Sequence, residues 1–184
     1  MHDVGAIRRL KRGDIDGLEI LVVRHQARAV HTAYLITQDQ ALAEDVAQET
    51  FLRIFQRIET FDESRLFEPY LMRSVANAAL DAVQKTKRER PFDSDGDTNE
   101  VERLISRAIS VEAEAELGEL HSQILTAIAN LPPRQRAVIV QRYYLEMSEN
   151  EMAQQLNAPA GTVKWLLNAA RLRLRALLKP ERSA

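Results

Sequence analysis

The side chains best placed for chemistry lie in NAPAGTVKWLLNAARLRLR, residues 157–175. The chemistry they suit is recognition, not bond-making. On a helix, Thr162, Lys164, Trp165 and Asn168 gather towards one side, and Arg171, Arg173 and Arg175 continue it as a basic ladder. A hydroxyl, an ammonium and an amide can reach base edges or phosphates in a DNA groove, and an apolar ring can touch thymine methyls or sugars. Val163, Leu167, Ala170, Leu174 and Leu177 form the opposite, inward stripe, with Leu166 at its flank. Trp165 is two positions from Val163, outside that stripe, so it is expected on the groove side.

A second constellation lies at residues 43–55, AEDVAQETFLRIF. Asp45, Gln48, Glu49 and Leu52 share one helix face, opposite an apolar stripe. Carboxylates and an amide around an apolar centre suit a basic protein surface. Nothing points to catalysis: there is no GxxxxGK loop and no nucleophile–base pair at recognisable spacing. The chain has no Cys, and its four His (2, 25, 31 and 121) lack ligand spacing. His25 and His31 read as ordinary helix residues. No metal, cofactor or catalytic residue is expected.

These residues need helices to hold them, and helical periodicity runs through nearly all of the chain. A first helix follows Asp14, with Leu18, Leu21, Val22, Ala29, Ala33 and Ile36 on its apolar side. Asp39 is the expected N-cap of a second, about 40–58, which buries Ala43, Val46, Ala47, Thr50, Ile54 and Ile58. The turn TFDESR (60–65) ends it. A third helix spans Phe67 to Lys85 with Tyr70, Leu71, Val75 and Ala78 inward, and Pro69 fits its first turn. Leu120, Ile124 and Ile128 mark a helix over 119–130. LPPRQR (131–136) stops it and starts another, whose inner side is Val138, Ile139 and Tyr143. SENE (148–151) is a capping box with Ser148 as cap and Glu151 reaching back. Met152, Ala153 and Leu156 bury this short helix, and Asn157 supplies a left-handed exit. A short capped helix, a turn and a longer basic helix make a helix-turn-helix.

Length and charge set the organisation. At 184 residues, 45% hydrophobic and 28% charged, the chain is an ordinary globular protein with room for one or two small domains. Its net charge of −2 hides a partition: residues 1–90 carry 14 basic and 14 acidic side chains, 91–122 carry 2 and 9, and 123–184 carry 9 and 4. That is net 0, −7 and +5: a basic nucleic-acid module tied by an acidic connector to a balanced domain. RPFDSDGDTNE (90–100) is turn-rich and reads as linker. No apolar run approaches the ~18 residues of a membrane span, and the N-terminus lacks an apolar signal core. A cytoplasmic protein without membrane insertion is expected.

Three stretches in this order, AEDVAQETFLRIF (43–55), FEPYLMRSVANAALDAVQK (67–85) and LPPRQRAVIVQRYYLEMSENEMAQQLNAPAGTVK (131–164), resemble a bacterial RNA polymerase sigma factor of the extracytoplasmic-function class in the sigma-70 family. The resemblance implies an all-α fold of two small helical domains joined by an acidic flexible linker. Residues 1–90 would be region 2, 91–118 the linker and 119–184 region 4. It implies a transcription initiation factor, not an enzyme, whose partners are core RNA polymerase (clamp coiled coil and flap), promoter DNA and, commonly, an anti-sigma factor. On that pattern Asp45, Gln48, Glu49 and Leu52 dock on polymerase. Arg65, Arg73, Asn77, Lys85, Lys87 and Arg88, extended by Arg90, contact the −10 element, and the loop Asp62–Leu66 captures flipped bases. Ser148, Thr162, Lys164, Trp165, Asn168 and Arg171 contact the −35 element. The connector would thread towards the polymerase's nucleic-acid channel or serve as a disordered, solvated spacer, and both can hold in different states. Departures from the family pattern are Glu68 where Arg is common, Ala76 and Ala78 at two further Arg positions, Pro159 at a usual Ser cap, and Trp165 and Leu166 where Ser and Arg are usual. Glu68 is expected to repel phosphate, and Trp165 either to give an unusual −35 preference or to meet a partner protein's surface.

Overall fold

The computed structural model describes residues 2–85, 105 and 118–178. Most of the acidic connector and the basic side chains Lys87, Arg88 and Arg90 lie outside the described residues. Among the described residues there is no strand. The chain divides into two units, Met1–Lys85 and Thr86–Ala184.

In the first unit, α1 (His2–Lys11), α2 (Asp16–Thr37), α3 (Gln40–Gln56) and α4 (Phe67–Gln84) pack together, with a 3₁₀ turn at Ile58–Thr60. Small side chains set the closeness of the packing. Ala29 and Ala33 of α2, Ala43 and Ala47 of α3, and Ala76 and Ala79 of α4 are all buried, so the axes can approach while Ile36, Val46, Ile54, Leu71 and Val75 fill the space between. Three threonines are buried in this unit: the Thr32 hydroxyl donates to the Arg28 carbonyl at 2.8 Å and that of Thr50 to the Val46 carbonyl at 2.7 Å, each four residues back, and that of Thr37 to the Asp39 carbonyl at 3.1 Å. Asp39 caps α3 as expected, its carboxylate accepting from the Leu42 amide at 3.1 Å. The 40–58 stripe is buried throughout, although the helix ends at Gln56 and Ile58 enters the core from the 3₁₀ turn.

The helix α1 was not expected. It buries Ala6, Ile7 and Leu10, and Gly13 (φ +82°) ends the turn after it, a backbone conformation that glycine adopts without strain. It crosses α2 at Gly17, where a Cβ would lie 2.4 Å from the Ala6 carbonyl oxygen. On α2, Leu18 and Val22 are only half-buried. On α4, Tyr70 is exposed and Ala78 half-buried, with Met72, Ala76 and Ala79 taking the inner positions. Tyr70 lies at the first turn of α4, where its ring rests on Phe61 with centroids 5.1 Å apart.

The second unit contains α5 (Gly118–Ala129), α6 (Pro133–Ile139), α7 (Glu149–Gln155) and α8 (Ala160–Leu178). Pro132 and Pro133 occupy the cap and first position of α6, where no amide is needed. α6 runs on into a π-helical segment, Val140–Tyr144, closed by a Leu145 amide bond to the Val140 carbonyl at 3.1 Å. The wider turn shifts the facing of the residues that follow. Tyr144, not Tyr143, is therefore the buried tyrosine, and Tyr143 lies half-buried at the edge. Val163, Leu166, Leu167, Ala170 and Leu174 of α8 are buried as expected, whereas Leu177, in the last turn of α8, is exposed. Leu167 is fully buried, which contributes roughly 2 kcal/mol.

Candidate nucleic-acid interface

The helix-turn-helix is α7, the turn 156–159 and α8. Its first helix starts at a complete capping box. The Glu151 amide donates to the Ser148 hydroxyl at 3.3 Å, and the Ser148 amide donates to the Glu151 carboxylate at 2.9 Å. The Ser148 hydroxyl also donates to that carboxylate, at 2.8 Å. Met152 is buried, while Ala153 and Leu156 are half-buried. Asn157 takes the left-handed conformation (φ +46°) that the exit needs. Pro159 then caps α8 through its carbonyl, which accepts from the Thr162 amide at 2.9 Å.

This geometry sorts the front of α8. Val163, Leu166 and Leu167 face the core, and Thr162, Lys164, Trp165 and Asn168 face out. Trp165, 39% exposed, is the one indole of the chain, and it stands on the polar side. Its neighbours offer a hydroxyl, an ammonium and an amide, a set suited to base edges and phosphates. Arg171 is arranged differently. Its Nε donates to the Tyr143 hydroxyl at 2.9 Å, its Nη1 donates to Asn168 Oδ1 at 3.2 Å, and its guanidinium lies 5.9 Å from the Tyr143 ring centroid. It ties α8 to the π segment and orients the Asn168 amide group.

On α3, Asp45, Gln48, Glu49 and Leu52 are all exposed on one face. Glu49 pairs with Arg53 one turn on at 3.1 Å. Gln48 and Leu52 border an open groove of about 770 Å³ between α2 and α3, with Leu18, Val22, Val23 and Phe51 also lining it. The groove is largely apolar, with Glu44 and Gln48 on its α3 side and Asp45 and Glu49 exposed on the same helix, which suits an amphipathic, basic partner. The half-burial of Leu18 and Val22 belongs to this groove.

Along α4, Arg73 and Asn77 sit one turn apart, both half-buried, and Asp81 and Lys85 follow exposed. Arg65 is exposed in the preceding loop, 3.6 Å from Asp62. The Asp62 carboxyl is held below its ordinary value, first by hydrogen bonds from Ser64. Glu68, where repulsion of phosphate was expected, forms an ion pair with Arg28 of α2. The negative charge is thus offset by a neighbouring helix.

Sequence reasoning missed two groups. Arg8 and Lys11 of α1 reach the loop before α4: Arg8 Nε donates to Glu63 at 2.9 Å and Lys11 Nζ donates to the Phe61 carbonyl at 2.7 Å. The signal was present in Ala6, Ile7 and Leu10, followed by Gly13, but it spans only ten residues. Tyr143 was missed because the π turn that moves it outward has no clear sequence signature.

The model of Sigma-70 region 2 matches residues 21–89, and that of Sigma-70, region 4 matches residues 121–174. The chain is 30% identical over 177 residues to the ECF RNA polymerase sigma factor SigW of Bacillus subtilis (strain 168), covering 94% of this chain and 95% of that one. It is 31% identical over 142 residues to SigM of the same organism, covering 77% and 83%. Among solved structures, CnrH in complex with the cytosolic domain of CnrY superposes with a TM-score of 0.60 at 23% identity, covering 97% of this chain and 98% of that one. The sigma factor RpoE of Bartonella quintana, in complex with the anti-sigma factor NepR, gives 0.59 at 17%, covering 89% and 98%. These two likenesses show the fold.

Proposed function

The chain belongs to the extracytoplasmic-function RNA polymerase sigma factors of the sigma-70 family, transcription initiation factors that direct RNA polymerase to promoters, and from that premise we propose how its surfaces divide the work. Region 2, residues 1–90, docks on core polymerase and opens the −10 element. Region 4, residues 119–184, reads the −35 element, and residues 91–118 connect them. The factor does no chemistry of its own and acts in the cytoplasm. Among the described residues no helix is long and apolar enough to cross a membrane.

The observation that carries this reading is the outward face of α8, where Thr162, Lys164, Trp165 and Asn168 stand opposite a buried stripe on a capped helix-turn-helix. In the major groove, Lys164 supplies phosphate or base contact and Asn168 an oriented amide, while Trp165 meets thymine methyls or sugars. Ser148, whose hydroxyl and amide both donate to the Glu151 carboxylate, serves the −35 contact by capping the start of α7. Arg171 acts chiefly by positioning Asn168.

Region 2 meets the clamp coiled coil of the largest polymerase subunit through Asp45, Gln48, Glu49 and Leu52, beside the α2–α3 groove. Region 4 meets the flap. Arg65, Arg73, Asn77 and Lys85, with Lys87 and Arg88 beyond them, hold the −10 strands, and the loop 62–66 takes an extruded base. Binding then offsets unpairing without nucleotide hydrolysis. An anti-sigma factor that covers these surfaces would hold the protein inactive. The solved relatives bound to the cytosolic domain of CnrY and to NepR support that partner class.

Co-purification with core polymerase tests the docking assignment. Capture of the core subunits by the tagged chain is expected; a chain that binds promoter DNA but never core polymerase would be a simple helix-turn-helix regulator. A Trp165→Ser variant should change −35 preference, and an unchanged promoter profile would remove the base-contact role of Trp165.

A further inference from the structure

The loop 61–66 has few restraints of its own. The Ser64 amide donates to the Asp62 carboxylate at 3.0 Å, the Arg65 amide donates to the Asp62 carbonyl at 3.0 Å, and Leu66 points into solvent, 78% exposed. Phe61 anchors the start of the loop on the rings of Phe67 and Tyr70 of α4, and beyond it the tie to the helical frame comes from α1. Arg8 Nε donates to Glu63 Oε2 at 2.9 Å, Lys11 Nζ lies 3.3 Å from Glu63 Oε1, and the same ammonium donates to the Phe61 carbonyl at 2.7 Å. Arg8 and Lys11 together hold the Glu63 carboxyl below its ordinary value.

α1 is itself fixed on α2. Gly17 permits the close crossing. Asp3 pairs with Arg24 and lies 3.1 Å from Nε2 of the buried His25, whose ring is 5.7 Å from that of Phe67. A cavity of about 400 Å³ opens here, with Asp3 and Ile7 of α1 forming one wall and Glu63, Leu66 and Phe67 the other. The matched family region begins at residue 21, so α1 lies before it.

We propose that α1 positions the loop 61–66, through Arg8 and Lys11, and so sets how sharply the protein discriminates bases at the −10 element. This rests on the assignment of that loop as the base-capture loop. Arg8 and Lys11 are positioning residues: they act on DNA through the loop and one wall of its cavity. A loop held in a single position accepts one extruded base in one pose, whereas a released loop samples many poses and distinguishes bases less.

The test uses the full chain with core polymerase and compares run-off output from one promoter with output from its −10 substitutions. Glu63→Arg sets three cations against one another and frees the loop. The ratio between the preferred and substituted promoters should fall about fivefold. Arg8→Glu with Lys11→Gln and Glu63→Arg rebuilds an ion pair and a donor to Phe61, and should restore the ratio. Core polymerase capture and the −35 footprint should stay unchanged in Glu63→Arg and in the triple variant, which excludes general loss of folding. A ratio that stays low in the triple variant, or that never falls in Glu63→Arg, overturns the proposal. Arg65→Ala separates the two levels. If it leaves −10 discrimination unchanged, the base-capture assignment fails and the role of α1 with it. If it lowers discrimination while Glu63→Arg does not, only the role of α1 fails.

Discussion

Gln141 has a side chain that is fully buried, with neither Oε1 nor Nε2 hydrogen-bonded among the described residues. Its backbone is used: its carbonyl accepts from the Met147 amide at 2.9 Å as the π segment closes. Replacing Gln141 by Leu keeps nearly the same volume and removes both polar atoms. Each unsatisfied buried polar group costs about 1–3 kcal/mol in proteins. Shape mismatch between a linear amide and a branched Leu returns up to about 1.5 kcal/mol. The balance favours Gln141→Leu by roughly 2 kcal/mol, which for a domain of this size corresponds to about 10 °C in the unfolding midpoint. Differential scanning calorimetry of the full chain measures it, through the transition of the C-terminal unit. Promoter choice should not move, because Gln141 touches no exposed face. An unchanged or lowered midpoint would refute the reasoning, and would mean that the amide is paired in solution.

Glu49→Lys should weaken capture of core polymerase while far-ultraviolet circular dichroism stays constant; the exposed Glu49–Arg53 pair contributes at most ~0.5 kcal/mol, so a stability loss cannot explain the defect. Lys164→Ala should reduce the slope of log affinity against log salt by about 0.9, with the affinity ratio to wild type narrowing as salt rises, as binding titrations would show. Gly17→Ala should destabilise the N-terminal unit by about 1–3 kcal/mol, because a Cβ 2.4 Å from a backbone oxygen outweighs the ~1 kcal/mol gain in helix propensity. Hydrogen exchange in α1 reads that loss directly. Glu63 titrates below its ordinary 4.5 in the folded protein, so its contribution is present above that value and is lost as pH falls through the folded value. Wild type and Glu63→Gln should therefore differ in thermal midpoint at pH 7 and converge in acid.

Local signals were legible. Asp39, Ser148 with Glu151, and Asn157 act on residues within one turn, so their chemistry can be read without neighbours. The α8 stripe was legible for the same reason: Val163 and Leu167 lie one turn apart, and Leu166 beside them completes a face. What failed to show was tertiary. Leu18 and Val22 match the period of the α2 stripe, yet they line an open groove. Tyr70 has the period of a core residue but ends on Phe61 at the surface. Arg171 reads as a phosphate ligand until Tyr143 is brought beside it by a π turn. Glu68 reads as a repulsive charge until Arg28, forty residues earlier, is placed against it. α1 is the largest omission: ten residues with three buried side chains give too little periodicity, and its importance lies in contacts to residues 61 and 63.

The central claim, that this chain gives core polymerase its promoter address, is tested most directly by run-off transcription with purified core polymerase on genomic fragments. Transcripts should require the added chain and start at a fixed distance from a shared pair of upstream elements. Core polymerase that binds the chain, yet gives no transcript beyond its background on any fragment, would contradict it.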